Sequence, residues 1–306
     1  MAVFSTNDHK VMMPRNIANG IVAQARSTSL VAKLSAAEPM RFGETDIITF
    51  NEFPKMEFVD EGADKSPTSA KLGSVTAKPH KGQVTLRFNE EVQWADEDYQ
   101  LGLLDELAKA GEVALSRGLD LGLLHRINPL KGTATTWDNY LAATTKTVEI
   151  DAKTDADEVL RKAVGLLVSE GDAWPVNGVA LDPRFAWDLA GLKDKDGRQR
   201  YPNLGFGVGM TSFMGLPCAV GSTVSGKPEA TKDTDVRAIV GDWAGGVRWG
   251  VQRDLPVEII RFGDPDGQGD LKRKNQIALR LEIVYGWYVF TDRFALVKAK
   301  AAGVGG

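Results

Sequence analysis

The sequence predicts an α+β fold, in which one long helix and a separate α/β segment combine with extended antiparallel strands. Residues 94–128 contain no proline and repeat apolar side chains at helical spacing. Residues 45–92 and 255–290 alternate apolar and polar side chains, which is typical of half-buried strands. Residues 143–255 alternate strand-like and helix-like segments. The 306 residues suffice for one large or two ordinary domains.

The helix predicted over residues 94–128 is unusually long. About thirty residues at roughly 1.5 Å each span about 45 Å, so we expect a spine on which other elements pack. Residues 96–98 are acidic and residues 125–126 are basic, which suits the helix dipole. Gly111 and Gly118 each weaken a helix by about 1 kcal/mol relative to alanine, and a kink at either position is expected.

The segments before this helix predict an arm and a projecting hairpin. Pro14 is well placed to open a short helix with an apolar side formed by Ile17, Ile21, Val22 and Ala25. The alternation at residues 84–88 predicts a strand, and residues 47–50 and 56–59 are its candidate partners. Residues 60–74 are polar and rich in Gly, Pro and Ser, which predicts a loop that reaches toward a partner.

Residues 143–255 predict a small α/β domain, reached through a polar linker at residues 131–147. Thr154 is expected to cap a helix, with Asp157 completing a capping-box-like pair. Residues 176–181 indicate a buried strand. Asp182 and Pro183 follow as the cap and first residue of the next helix. Short strands are expected at residues 215–220, 236–240 and 246–251.

The last part of the chain predicts an extended hairpin formed by residues 257–262 and 276–290. The connecting turn at residues 263–270, GDPDGQGD, resembles part of a calcium loop. Gln268 and Asn275 stand at the fifth and twelfth positions of that loop, where calcium ligands are needed. We therefore expect a solvated turn and no metal.

Other residue types give no recognisable site for a cofactor or a reaction. His9, His80 and His125 are too scattered in sequence to indicate a metal site or a catalytic triad. Cys218, the only cysteine, lies in an apolar run and is expected to be a buried thiol. The glycine-rich residues 205–210 lack the lysine of a phosphate-binding loop. The tryptophans expected to anchor the core or an interface are Trp174, Trp187, Trp243 and Trp249.

Composition limits the possible partners. Hydrophobic residues make up 43% and charged residues 25% of the chain, as in soluble globular proteins. Lys and Arg number 37 against 41 Asp and Glu, giving a net charge of -4. This balance argues against a protein that grips nucleic acid through clustered basic residues, but it is compatible with a surface that only faces DNA. No stretch of sequence approaches the length of a membrane span.

The order of these elements resembles the major capsid proteins of tailed bacteriophages, which have the Hong Kong ninety-seven (HK97-like) fold and whose relatives include the encapsulins. The resemblance extends from about Met13 to Lys298. It depends on the order and spacing of several segments, because no single motif is specific. The segments that carry it are residues 11–34, 58–62, 72–92, 180–204, 236–251 and 278–298.

The resemblance implies a domain organisation. The parts expected from it are an N-terminal arm (1–43), an extended loop (44–92), a peripheral domain with the spine helix (93–142), an axial domain (143–255), the closing hairpin of the peripheral domain (256–298) and a flexible tail (299–306). Some family members carry a scaffolding segment before the arm. About a dozen residues precede Pro14 here, so we expect either a separate scaffolding protein or none, and no removed prodomain.

The function that the resemblance implies is structural. Copies would form hexamers and pentamers that assemble, in the cytoplasm of a bacterial host, into an icosahedral shell around double-stranded DNA. Expected partners are the chain itself, scaffolding and portal proteins and possible decoration proteins, with no membrane and no sequence-specific DNA contact. An encapsulin, whose shell encloses protein cargo, is the first alternative. An α/β enzyme with an unrecognised pocket is the second.

Some members of this family also join neighbouring subunits by an isopeptide bond. A lysine amine attacks an asparagine carboxamide, a glutamate accepts the amine proton, and the carboxamide nitrogen leaves as ammonia. By resemblance, Asn275 and Glu282 match the positions of that asparagine and glutamate, and Lys65 or Lys71 would supply the amine from a neighbouring copy. The plainer interpretation, which we favour, is that Asn275 is a turn residue and Glu282 lies on the polar face of a strand.

Overall fold

The computed structural model describes residues 29–52, 56–62, 64–67, 71–91, 97–151, 153–169, 174–254 and 258–300. The helices in this part of the chain are α1 (Leu30–Leu34), α2 (Glu97–His125), α3 (Ala156–Val168) and α4 (Pro183–Ala190). The strands are β1 (Thr45–Glu52), β2 (Lys71–Asn89), β3 (Ile127–Asn128), β4 (Thr133–Ala134), β5 (Thr147–Ile150), β6 (Gly178–Leu181), β7 (Ser212–Phe213), β8 (Leu216–Val220), β9 (Val236–Gly241), β10 (Val247–Asp254), β11 (Glu258–Ile260), β12 (Gln276–Val289) and β13 (Phe294–Ala299). The helix predicted at Pro14 lies outside the described residues.

The first sheet has the strand order β1-β2-β12-β10, and β11 also pairs with β12. The 19-residue β2 is its longest strand. Its first part pairs antiparallel with β1 and its second part with β12, so β2 continues from a projecting hairpin into the body of the protein. Residues 47–50 form a strand, but they pair with residues 72–75 of β2, most of which were predicted to be part of the loop. Their predicted pairing with residues 84–88 is wrong, because those residues pair with β12. The strand predicted at residues 56–59 is wrong, because these residues lie beyond Glu52↔Lys71, the last pair of the hairpin, where no described strand faces them.

Helix α2 packs on this sheet and runs unbroken through Gly111 and Gly118. At Gly111, an added Cβ would lie 2.5 Å from Leu281 Cδ1, so the glycine lets the sheet approach the helix closely. About one turn further on, the Tyr285 hydroxyl donates to the Leu115 carbonyl at 3.4 Å. Neither glycine interrupts the helix, and Gly111 serves close packing.

The second sheet has the order β5-β13-β9-β6-β8-β7, with β13 parallel to β5 and β6 parallel to β8. The buried faces of α3 and α4 join this sheet in one hydrophobic cluster, which confirms the predicted α/β character. Asp182 caps α4 by accepting from Arg184 N at 2.9 Å, and Pro183 is the first helical residue, as predicted. The cap predicted at Thr154 is wrong.

Helix α3 instead has Asp155 at its N-cap position, and its side chain makes no capping hydrogen bond. Asp157 does not complete a capping box, because its carboxylate accepts from Arg200 at 2.7 Å and from the Tyr201 hydroxyl at 2.9 Å. Thr154 and Asp155 could each have capped this helix. Asp157 pairs with Arg200, more than forty positions away, and does not bond back to the Thr154 amide as a capping box requires.

A second hydrophobic cluster includes residues of α1, α2 and both sheets, so the two sheets share a core. Residues 131–147, predicted as a polar linker, are packed against it. Leu141 is fully buried. The Asn139 side chain forms two hydrogen bonds with the backbone of Val289, at 2.8 and 2.7 Å, as a neighbouring strand would. This segment is polar in composition because its side chains replace backbone partners.

Candidate assembly surfaces

The hairpin of β1 and β2 ends in a loop that presents apolar side chains to solvent. Phe58 is 90% exposed and Met56 is 76% exposed. The loop has a defined shape, because Glu57 accepts hydrogen bonds from the Ser66 amide and hydroxyl, both at 3.0 Å. Exposed aromatic groups on an ordered loop are typical of protein contact surfaces.

Strand β1 is the outer strand of its sheet and adds a second feature to the hairpin. Ile48, near its middle, is 72% exposed. No strand in the described part of the chain pairs with the outer edge of β1. An edge of this kind offers unpaired backbone donors and acceptors to a neighbouring chain. The hairpin therefore combines an exposed apolar tip with an outer strand, β1, that has a described partner strand on one side only.

The turn at residues 263–270, which resembles part of a calcium loop, folds around the guanidinium of Arg87. Arg87 donates to Asp266, to Asp264 at 3.4 Å and to the Gly269 carbonyl at 3.0 Å. The nearby Arg87 guanidinium holds the pKa of the Asp266 carboxyl below its usual range. The arginine neutralises the carboxylates that a calcium ion would need, and it ties the turn to β2.

The four residues of the predicted crosslink lie in different places. Asn275 is exposed and adopts a left-handed conformation with φ 50°, and its carbonyl accepts from Glu90 N at 2.7 Å. Glu282, on β12, forms an ion pair with Lys81 at 2.9 Å. Lys65 is exposed in the hairpin loop, and Lys71 begins β2.

Asn275 and Glu282 do not meet within one chain. At about 3.3 Å per strand residue, the seven positions between them span roughly 20 Å or more. A site containing both groups would therefore need two different copies. The crosslink stays a prediction.

Asp120 holds the junction between α1, α2 and the second half of the chain, and sequence reasoning missed it. Its buried carboxylate accepts hydrogen bonds from the Ser29 hydroxyl, from Leu30 N at 3.0 Å, from Val31 N at 3.1 Å and from the Thr223 hydroxyl at 3.1 Å. Burial raises the pKa of Asp120, while these four donors act in the opposite direction. The one signal in the sequence was an acid between the buried Leu119 and Leu121.

Two histidines are held neutral by their surroundings. His125, at the end of α2, is hydrogen-bonded through Nε2 to the Val224 carbonyl at 2.8 Å, so that nitrogen carries the proton. Burial lowers its pKa to about 4. His80 stacks on Trp287 with ring centres 3.8 Å apart and lies 4.2 Å from Trp137. Burial, with a smaller effect of Lys78, lowers its pKa to about 4 as well.

Residues 9–299 match the model of the phage capsid family. The chain belongs to the phage capsid family. This membership makes it a structural protein of the virion shell, and it does not favour the encapsulin alternative. None of the curated protein sequences matches this chain.

Solved structures of phage proteins are similar to this capsid protein over most of its length. A protein from Mycobacterium phage Ogopogo is 43% identical with a TM-score of 0.79, covering 89% of this chain and 92% of that one. A protein from Gordonia phage Cozz is 29% identical with a TM-score of 0.78, covering 90% and 87%. At 15% identity and a TM-score of 0.61, the structure described as "Capsid of native GTA particle computed with C5 symmetry" shares the fold, covering 90% and 91%. These similarities confirm the α+β capsid fold.

Residues 241–243, Gly-Asp-Trp, lie within the segment 236–251 that carries the family resemblance, and they form a tight turn at the end of β9. Asp242 accepts from Asn177 Nδ2 at 2.7 Å, from Gly245 N at 2.9 Å and from Arg293 at 3.3 Å. Trp243 is fully buried, as expected of a core anchor. A side chain at Gly241 would place its Cβ 2.3 Å from the Arg293 carbonyl, so each member of this motif has a structural role.

The part of the capsid protein that the structure describes contains no group of three or more His, Cys, Asp or Glu placed to hold a metal ion. None of its described helices is both long and apolar enough to cross a membrane. Cys218 is buried, and burial raises the pKa of its thiol to about 11. This thiol is therefore uncharged at neutral pH and packs as a small apolar group.

Proposed function

We propose that copies of this capsid protein associate as hexamers and pentamers and close into an icosahedral shell around the double-stranded DNA of a tailed phage. The observation that carries this proposal is the hairpin of β1 and β2, whose tip exposes apolar side chains and whose outer strand β1 pairs, among the described strands, with β2 alone. Its exposed Phe58 and Ile48 need a partner surface, and in a shell a neighbouring copy supplies it. The hairpin would lie across the α2 helix of that neighbour.

The domain organisation expected from the sequence accompanies this proposal. Residues 44–92 would be the extended loop, residues 93–142 and 256–298 the peripheral domain, and residues 143–255 the axial domain around the centre of each capsomer. Residues 1–43 would form an arm in which α1 packs on its own subunit and the residues before α1 clamp another, and residues 299–306 would form a flexible tail. The two sheets support a division into two main parts, but β10 lies in the first sheet and β13 in the second, so the sheets do not follow these bounds throughout.

The DNA would be enclosed without sequence-specific contacts. A net charge of -4 supplies no basic surplus to grip phosphates, so the shell wall would only face the genome. We expect assembly in the cytoplasm of the bacterial host, with a portal protein, either a separate scaffolding protein or none, and possible decoration proteins. Nuclease-protected DNA inside particles isolated from infected cells would support this proposal, whereas protein cargo would favour a compartment shell.

Electron microscopy of the purified protein tests shell formation directly. The matched variant replaces residues 53–70 by a two-residue Asn-Gly turn joining Glu52 to Lys71, which already face each other in the hairpin. We expect closed particles from the wild type and folded, unassembled subunits from the variant. Normal particles from the variant would contradict a role for the hairpin loop in assembly, and a wild type that stays monomeric under all assembly conditions would contradict the shell itself.

We also propose the covalent crosslink as a separate property of the shell. Exposure of both Lys65 and Asn275 supports it, because each is accessible to a neighbouring copy. Boiling assembled shells in detergent and running them on a gel would give a ladder of linked subunits. Lys65→Arg and Lys71→Arg, made singly, would show which amine reacts. A single monomer band from mature shells would leave Asn275 as a turn residue only.

A further inference from the structure

Residues 201–226 contain no Asp, Glu, Lys, Arg or His, although charged residues make up 25% of the chain. Part of this uncharged segment lies on the surface. Phe206 is 75% exposed, Val208 is 63% exposed and Met214 is 55% exposed. A solvent-facing segment normally carries charges. The absence of charge in residues 201–226 is typical of a surface that is covered in the assembled protein, since the centres of protein interfaces are depleted in charged residues.

The aromatic part of this surface has a fixed shape. Phe206 stacks on Trp187 of α4, with ring centres 5.9 Å apart and an angle of 10° between the planes. Trp187 is itself 56% exposed, so the two rings form one continuous apolar surface. We define Trp187, Phe206 and Val208 as the aromatic patch.

Gly207 holds the loop that carries this patch against α4. Its φ is +82°, and an added Cβ would lie 2.2 Å from the Ala186 carbonyl oxygen. The loop is closed by hydrogen bonds from Gly207 N to Leu204 O at 2.9 Å and from Met210 N to Gly207 O at 3.2 Å. Met210 is 6% exposed and anchors the end of the loop in the core. The glycines at residues 205–210, which have no phosphate-binding pattern, thus serve to display Phe206 beside Trp187.

We propose that the aromatic patch is the apolar centre of a contact between neighbouring copies of this chain in the shell. The proposal rests on the proposed function and names a surface, distinct from the hairpin, through which copies meet. A shell protein must cover such a surface with another copy of itself, because the same contact repeats throughout the particle. The uncharged segment offers the neighbour neither a charged partner nor a charged obstacle, so an equally uncharged surface of a like chain fits it.

The size of the patch agrees with this role. With 56% and 75% of Trp187 and Phe206 exposed, the two rings offer roughly 200–300 Å² of apolar surface. A stable pairwise interface needs about 800 Å² on each partner. The patch alone is too small to hold two free subunits together. The patch is large enough to be the apolar centre of a contact with a polar rim. Such a contact would be stabilised further when the subunits close into a ring.

A matched pair of variants tests the proposal. Phe206→Ser removes the exposed ring from the patch, and Phe262→Ser removes an equally exposed ring, 71% accessible, beside the turn at residues 263–270. We expect Phe206→Ser to raise the protein concentration needed for shell assembly by about tenfold or more. We expect Phe262→Ser to assemble at close to the wild-type concentration. Circular dichroism and thermal unfolding should show that both subunits remain folded, since neither ring is buried.

A photo-crosslinking phenylalanine analogue at position 206 identifies the partner and does not depend on closed particles. Illumination of associated subunits should produce covalently linked dimers and higher multiples of this chain. Only intramolecular products, or wild-type assembly by Phe206→Ser, would overturn the proposal. If the wild type forms shells and Phe206→Ser does so equally well, the shell function stands and only the patch is refuted. If the wild type forms no shells while the crosslinked ladder still appears, the patch is supported and the shell function is not.

Discussion

The junction at Asp120 is buried, whereas the tip of the hairpin at Phe58 is exposed to solvent. At the junction, a buried carboxylate receives four hydrogen bonds from residues far apart in the sequence. At the tip, the aromatic ring of Phe58 is 90% exposed. The comparison teaches that this capsid protein separates folding from assembly. Substitutions in the first region should change the stability of the subunit, and those in the second should change only its association.

The largest effect on subunit stability is expected from Asp120→Ala. The change leaves the amides of Leu30 and Val31 and the hydroxyls of Ser29 and Thr223 without their buried acceptor. Each buried unsatisfied donor costs on the order of 1–3 kcal/mol, so we expect a loss on the order of 3–5 kcal/mol in the free energy of unfolding. Urea unfolding of the unassembled subunit measures this loss.

Asp120→Asn is the control for this prediction. The amide keeps the shape of the side chain and one acceptor oxygen, but it replaces the other acceptor with a donor. We therefore expect an intermediate loss of stability. An Asp120→Ala subunit within about 1 kcal/mol of the wild type would show that the junction can rearrange or admit water.

The second prediction uses the buried His125, five residues after Asp120 on the same helix. Its folded pKa of about 4 lies below the ordinary value of about 6.5. Protons therefore bind the unfolded chain first, so the contribution to stability is complete above pH 6.5 and is lost as the pH falls toward 4. Between pH 7 and pH 5 we expect the free energy of unfolding to fall by about 2 kcal/mol from this group.

His125→Gln should remove the part of the pH dependence that comes from His125, because a glutamine amide can still donate to the Val224 carbonyl but does not titrate. The pKa of His80 is also lowered to about 4, so a residual slope of up to the same size should remain. Carboxylates with lowered pKa values, such as Asp157, lose their contribution mainly below about pH 4 and do not interfere. An unchanged slope in His125→Gln would assign the pH dependence to other groups.

A smaller effect is expected at Arg87, which connects β2 to the turn at residues 263–270. Arg87→Met keeps an unbranched apolar stem but removes the guanidinium that donates to Asp264, Asp266 and Gly269. We expect the melting temperature of the subunit to fall by roughly 3–6 °C. Arg87→Lys should restore part of the loss, because the charge remains while the two-pronged geometry does not. Equal melting temperatures for all three proteins would show that the turn holds itself without the arginine.

The sequence predicted those elements whose cause is local. The periodicity of residues 94–128 predicted α2, and the pair Asp182 and Pro183 predicted the start of α4. Three errors arose where local signals were ambiguous. Thr154 and Asp155 could each cap α3, residues 56–59 alternate like a strand although no described strand faces them, and residues 47–50 pair with residues 72–75 instead of 84–88. Local periodicity does not identify the partner of a segment.

The junction and the turn could not be predicted from sequence for a related reason. Asp120 lies 91 positions from Ser29 and 103 from Thr223, and no local pattern relates residues at those separations. The turn at residues 263–270 was predicted to be solvated, but its carboxylates bind Arg87, 179 positions from Asp266. For both groups, only the tertiary structure identifies the partner.

The smallest effect on folding, with the largest effect on assembly, is expected from Phe58→Ser. The ring is 90% exposed, so its removal takes almost no apolar surface out of the folded subunit, and the free energy of unfolding should change by less than about 0.5 kcal/mol. Shell assembly should weaken strongly, because an exposed aromatic ring contributes to stability only where a neighbour buries it. Light scattering against protein concentration measures assembly, and urea unfolding of the same sample measures the fold. A parallel loss of both would mean that the tip stabilises its own subunit, and the separation of folding from assembly would then be wrong.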